Sequence, residues 1–270
     1  MRAPIFIDSD NAMGSRSGDV DDALAIAALI RSDQPVVALA SVFGNTSEAR
    51  AHDNNVSLSR LCGFGGPLLR GATSAEQETT EAVAFLTAAS RPLRIAALGP
   101  LTNVAGAIES ARERLPIEEI VMVGSNSNSF GRWPPLWPYE FNLTKDRRAT
   151  RICFETTIPM TVFPLNVASR FRFSRSLIAH LKSPLGDSLR QGADRWFRHL
   201  LWTRAMREFP IYDLLAALYM IDPAGVELEE RRVSVTAAGF VDYRGDGRSI
   251  RVATGFDADL LWDRFVRLVS

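Results

Sequence analysis

The sequence predicts an α/β fold: an open, largely parallel Rossmann-like sheet with helices on both faces and a small antiparallel element near the C-terminus. Short apolar or β-branched runs alternate with helical periodicity along most of the chain, the pattern of strand–helix–strand crossovers. A chain of 270 residues with 46% hydrophobic content is long enough to bury a sizeable core. Past residue 230 the pattern changes to short strands joined by a tight turn.

Strands are expected at residues 5–7, 36–42, 95–98, 120–123 and 158–162, each preceding a plausible helix. Helical periodicity covers residues 21–31, 47–62, 75–90, 102–110, 146–154, 188–208 and 212–220. Residues 232–235, 239–242 and 250–254 look like antiparallel strands, with Asp246-Gly247 as the turn. Asp257 then caps a last helix whose stripe is Leu260, Leu261, Phe265 and Leu268. Arg244-Gly245-Asp246 spells an adhesion tripeptide, but the hairpin turn accounts for it. With no internal repeat and no low-complexity linker, residues 1–270 are expected to form one domain.

Composition narrows the partner. Lys plus Arg equals Asp plus Glu at 31 each, so no overall field draws nucleic acid or an anionic membrane surface, and a small molecule is expected. The start, MRAPIFIDSD, lacks the apolar core of a secretory signal, and no apolar run approaches the ~18 residues that span a bilayer. Cytoplasmic residence is the simplest expectation. Cys62 and Cys153 sit in apolar surroundings and read as buried free thiols.

In open α/β sheets the ligand lies beyond the carboxyl ends of the strands. The first strand ends there in Asp8-Ser9-Asp10, and after a Gly- and Ser-containing loop come Asp19, Asp21 and Asp22 at a helix start. Capping accounts for acids in a first helical turn but not for Asp8 and Asp10, which precede the helix. So many anions at one crossover repel unless a cation intervenes, and oxygen donors without nearby His or Cys select calcium or magnesium over zinc.

Later strands deliver further groups to the same edge. Gly44-Asn45 follows the second strand and suits hydrogen bonding to a hydroxylated ligand, though it is also turn chemistry. Gly99-Pro100-Leu101-Thr102-Asn103 breaks a strand before opening a helix, leaving carbonyl oxygens free to face a metal. Tyr139-Glu140-Phe141-Asn142 follows a Trp- and Pro-rich loop, and Tyr212-Asp213 opens an apolar helix.

Together, Asp8-Ser9-Asp10 with Asp21-Asp22-Ala23, Gly44-Asn45, Gly99 to Asn103, Glu140-Phe141-Asn142 and Tyr212-Asp213 occur in the order seen in the inosine-uridine nucleoside hydrolase family, which the sequence resembles over nearly its whole length. The resemblance implies a calcium-dependent N-ribohydrolase converting a ribonucleoside and water to ribose and free base. It implies that Asp10, Asp22, the main-chain carbonyl of Thr102 and Asp213 coordinate Ca2+, and that Asp10 takes the proton from a calcium-bound water. Asp21, Asn45, Glu140 and Asn142 match the residues that grip the ribose hydroxyls. Relatives are commonly dimers or tetramers, so a homodimer or homotetramer is compatible with the resemblance.

The sequence departs from the family pattern in three places. Asn11 to Val20 separate Asp10 from the Asp pair, where the family usually has three residues. This insertion reads either as a lid or as a change to the calcium site, with Asp19 competing with Asp10 as a ligand. Tyr212 stands where many members carry His; it would stack on the base or donate a proton, and otherwise reads as a packed aromatic. Residues 131–138 replace a Gly-Asn-x-Thr-Pro-x-Ala run, leaving Trp133, Trp137 or Tyr139 to reshape the 5′ end of the pocket. In the helix before Tyr212, Trp196 and Arg204 are the candidates for leaving-group and base contacts, against a packing role for Trp196 and a solvated cation for Arg204. His52 and His180 read as surface or satisfied histidines.

Two rival activities remain at this level. A metal-dependent hydrolase of another ester fits Asp-x-Asp, but it wants a Lys or Gly-rich phosphate cradle, and Lys145 and Lys182 are the only lysines. A non-catalytic ribose or nucleoside binder fits the Tyr212 replacement, against the retention of every matched metal ligand.

Overall fold

Strand β1 (Ile5–Ser9) is buried at every position, as a strand covered on both faces must be. The computed structural model describes residues 2–15, 18–111, 115–127, 141–174, 177, 179, 181–204, 208–236 and 239–270, residues 203 and 204 by backbone alone. From β1 the chain runs through α1 (Asp21–Arg31), β2 (Val36–Ser41), α2 (Glu48–Cys62), β3 (Leu68–Leu69), α3 (Glu81–Thr87), β4 (Leu93–Ala97), α4 (Thr102–Ser110) and β5 (Ile117–Val123). It continues with α5 (Phe141–Lys145), α6 (Arg147–Glu155), β6 (Met160–Phe163), α7 (Leu165–Ala168), β7 (Arg172–Phe173), α8 (Pro184–Arg204), β8 (Phe209–Pro210) and α9 (Asp213–Ile221). Last come β9 (Val226–Val235), β10 (Val241–Asp242), β11 (Arg248–Phe256) and α10 (Ala258–Val269).

Nine described strands form one sheet in the order β10-β9-β11-β6-β5-β4-β1-β2-β3, and β7 with β8 makes a separate antiparallel pair. The sheet is parallel from β3 across to β11, and β9 runs against both its neighbours. The expected C-terminal antiparallel element is therefore present, but it is fused to the main sheet, because β11 also pairs in parallel with β6. Period-two alternation along β1 separates two cores: Ile5 and Ile7 pack with α1, α9 and α10, whereas Phe6 packs with α3, α4 and α6. Cys62 lies in the first core and Cys153 in the second, so the two buried thiols cannot pair.

Local chemistry sets most boundaries close to expectation. Asp146 and Asp257 cap α6 and α10 by accepting from Ala149 and Leu260 N–H. The largest departure is α3, which begins only at Glu81. Thr80 caps it through Val83 N–H, and residues 73–77 are folded back by a Gln77 side chain that accepts from Thr73. Helix α8 begins earlier than expected, at Pro184, since proline is tolerated in a first turn. No helix among the described residues is long and apolar enough to cross a membrane.

Candidate active site

The sheet order puts β1 between β4 and β2, and the chain leaves β1 toward one core and β4 toward the other. Where successive crossovers diverge, a crevice opens beyond the carboxyl ends of the strands. Asp8 and Ser9 end β1 at that crevice and point to opposite faces. Asp8 Oδ1 accepts from Asn103 Nδ2 of α4 at 2.8 Å, and Ser9 Oγ donates to Asp22 Oδ1 of α1 at 2.6 Å.

Asp10 follows, fully buried, with Oδ2 accepting from the Asn45 backbone N–H at 2.6 Å. Gly44 permits that approach: a Cβ there would lie 1.9 Å from Asp10 Oδ2 and 2.9 Å from Asp10 Cβ. Packing of α1 against α9 brings the two helix starts together. Both oxygens of Asp21 accept N–H groups of the α9 first turn, from Tyr212 at 2.7 Å and Asp213 at 3.1 Å. Asp21 thus caps a helix start 191 residues further along the chain, where Tyr212 supplies no side-chain cap of its own.

Electrostatics makes the cluster expensive as it stands. Burial pushes Asp8 up to about 7 against the opposing Asn103 hydrogen bond. Burial and then the Asp19 charge push Asp22 to about 7, and burial pushes Asp19 to about 6. Asp10 is raised by burial and by Asp22; Asp21 by burial and by Asp19; Asp213 by burial and then by Asp21, Asp22, Asp10 and Asp19. No described cation partners any of these carboxylates in an ion pair. One oxygen each of Asp8, Asp10, Asp19 and Asp22 is buried without a hydrogen-bond partner. Among the described residues no three acidic, His or Cys side chains already stand as a metal-holding shell, so the fit of a cation rests on these unsatisfied hard oxygens and their mutual repulsion.

A cavity of about 300 Å³ adjoins the cluster, lined by Asp19, Asp21, Trp196, Phe209, Tyr212 and Arg172 among others. Trp196 is held in it by stacking on His199 at 5.2 Å and by an edge contact to Phe209. Both aromatics expected near the leaving group, Trp196 and Tyr212, therefore share one cavity with Asp21. Arg204 closes α8, with its side chain outside the described residues, as are Glu140, residues 131–138, Tyr139 and His180. Asn142 Nδ2 donates to Leu98 O at 3.0 Å, at the end of β4. Asn45 meets the cluster through its backbone while its side chain is exposed. Thr102 is buried at the start of α4, its hydroxyl donating to Asp146 at 2.8 Å.

The inserted loop is tied down where it leaves the strand. Asn11 is fully buried, its Nδ2 donates to Asn55 Oδ1, and its carbonyl accepts from Asn54 Nδ2. Met13 packs against Gly192 of α8. The loop returns as Asp19, whose charge acts on Asp10, Asp21, Asp22 and Asp213. Asn103, which carries no signal of its own in the sequence, joins through its amide Asp8, the Ser41 carbonyl, Ala72 N–H and the Thr80 hydroxyl. Arg172 and Phe209, both lining the cavity, are also silent in the sequence, since they lie in two-residue strands too short for any periodicity to show.

Residues 5–263 match the family model described as inosine-uridine preferring nucleoside hydrolase. The chain belongs to this family. As a nucleoside hydrolase it is an N-ribohydrolase, an enzyme acting on N-glycosyl compounds. It is 24% identical over 218 residues to the pyrimidine-specific ribonucleoside hydrolase RihB of Escherichia coli O17:K52:H18 (strain UMN026 / ExPEC), a match covering 74% of this chain and 68% of that one. The putative pyrimidine-specific enzyme RihB of Shigella boydii serotype 4 (strain Sb227) matches at the same identity and is covered over 88% of its length. Among solved structures, the nucleoside hydrolase shares its fold with a plant nucleoside hydrolase, the PpNRh1 enzyme, at a TM-score of 0.83, 20% identity and 99% coverage of both chains. A purine-preferring ribonucleoside hydrolase from Gardnerella vaginalis gives 0.83 at 19% identity and 98% coverage of both.

Proposed function

We propose that this N-ribohydrolase cleaves the N-glycosidic bond of a ribonucleoside to ribose and free base, with Ca2+ held by Asp10, Asp22, Asp213 and the Thr102 carbonyl. The observation that carries the reading is the pair of buried, unpartnered oxygens on Asp10 and Asp22, whose charges repel each other and that of Asp213. Buried carboxylates in this state gain most from a hard divalent cation, which offsets their charge and occupies the free lone pairs. Such an ion would supply Lewis acidity there, making water a better nucleophile at neutral pH.

The chain's own groups do the rest. Asp10 accepts the proton of the attacking water, held in place by the Asn45 N–H. The clustered carboxylates stabilise the positive charge that develops on the ribosyl ring as the bond to the base lengthens. Asp21, Asn45, Glu140 and Asn142 hold the ribose hydroxyls, and Trp196 and Tyr212 take the base in the adjoining cavity. Tyr212 stacks on the base or passes it a proton, and Arg204, at the end of α8, is a further candidate for the leaving group.

Base release from a panel of purine and pyrimidine ribonucleosides tests the reading, alongside calorimetric titration with CaCl2. Activity lost on chelation and in Asp10→Asn, with calcium binding weakened in Asp22→Asn, is the expected result. Full turnover in the presence of chelator, or calcium affinity unchanged in both variants, rejects the assignment. Ribose binding without base release from any substrate favours a sugar-binding role instead.

A further inference from the structure

The aromatic cavity beside the carboxylates contains one cation among its described lining residues, Arg172. Its place is fixed from beneath. Phe171 and Phe173, on either side of it, are fully buried, so period-two alternation turns Arg172 out of the core. Phe173 packs on Phe197 and Phe209, Arg172 pairs in register with Pro210, and the Phe171 carbonyl accepts from Ile211 N–H at 2.9 Å. The strand carrying Arg172 is therefore bonded to the segment that delivers Tyr212 and Asp213. Its guanidinium has no hydrogen-bond or ion-pair partner among the described residues, in a cavity whose acidic lining residues are Asp19 and Asp21.

We propose that Arg172 receives the departing base, its N–H groups donating to acceptor atoms of the base as the glycosidic bond breaks. This rests on the N-ribohydrolase reading above. In that reaction the water oxygen bonds to C1′ and its proton passes to Asp10. The C1′–N bond breaks with its electron pair remaining on the base nitrogen, and the base takes up a proton from solvent after departure. Arginine has donors only and keeps its proton at any working pH, so it stabilises the charge on the leaving base without protonating it. That division leaves Tyr212 free to stack, and it splits the cavity into a carboxylate side for the cationic sugar and a guanidinium side for the anionic base.

The test compares Arg172→Met and Arg172→Lys with the parent enzyme on two kinds of substrate. The bases of uridine and inosine are poor leaving groups, whereas 4-nitrophenyl β-D-ribofuranoside carries a leaving group that holds its own negative charge. Arg172→Met is expected to lose kcat/KM on the nucleosides by about 10-fold more than on the nitrophenyl riboside, with Arg172→Lys intermediate because it keeps the charge without the fork. An equal loss on both substrates, or no loss on either, overturns the role of Arg172 while leaving the N-ribohydrolase reading intact. A parent enzyme that cleaves neither substrate removes both. If Arg172→Met does not fold, Arg172→Gln is put through the same ratio.

Discussion

Replacing Gly44 by alanine is the most local perturbation of the carboxylate cluster. The new Cβ would stand 1.9 Å from Asp10 Oδ2, 2.8 Å from its Cγ and 2.9 Å from its Cβ, so rotating the carboxylate is not enough and the end of β1 has to move. Asp10 is fully buried and cannot swing into solvent. Moving it breaks the 2.6 Å bond from Asn45 N–H, a hydrogen bond to a charged group worth about 1.5–3 kcal/mol, or roughly 10- to 150-fold in rate if it is intact in the transition state. Stability should fall less than activity, because displacing Asp10 also relieves its repulsion with Asp22. Initial rates of base release under saturating calcium, paired with calorimetric melting, read the two effects separately. A Gly44→Ala enzyme with parental kcat/KM and parental calcium affinity would refute the placement of Asp10 at the reacting centre.

Four further outcomes follow from the same geometry. In the folded, metal-free protein Asp8 and Asp22 titrate near 7 and Asp19 near 6, above the usual 3.8, so the native state holds protons that the unfolded chain has released. Their penalty is absent below about pH 4 and grows as pH rises through 6 to 7, so chelator-treated protein should resist urea better at pH 5 than at pH 8; the opposite slope contradicts the assignment. Calcium should raise the melting temperature at pH 8 by more than at pH 5, with about 2.7 kcal/mol expected at 100 times its Kd, and by much less in Asp10→Asn. Asn103→Ala strips partners from buried Asp8, Ala72 and Thr80 and should cost about 2–4 kcal/mol in urea denaturation. Asp21→Ala uncaps α9 and should cost about 1–2 kcal/mol by the same measure, Asp21→Asn less because it keeps an acceptor.

Much of the architecture was legible because the signals are local. The apolar run at residues 5–7 marks the first strand, and α1 and α4 span the very residues that their periodicity indicates. Where expectation slipped, a side chain had bonded to backbone nearby, as with Thr80 at α3, or a later strand had joined an older sheet, as with β11 on β6. Asp8, Asp10, Asp19, Asp21 and Asp22 stood out by their crowding alone. Asp213 gained meaning only from the family resemblance, since an acid at a helix start ordinarily signals a cap.

By itself, then, the sequence determined the longer strands and helices, the carboxylates that end β1 and begin α1, and the family. Tertiary structure decided that Asp213 joins the charges of Asp10 and Asp22, that Asp21 bonds the first turn of α9, and that Arg172 enters the cavity with Trp196 and Tyr212. The reason is physical: hydrogen bonding within a helix or along a strand repeats every few residues and is written in local order. Which helix start faces which depends on how α1 and α9 bury their apolar sides against a common sheet, across some 190 residues of chain.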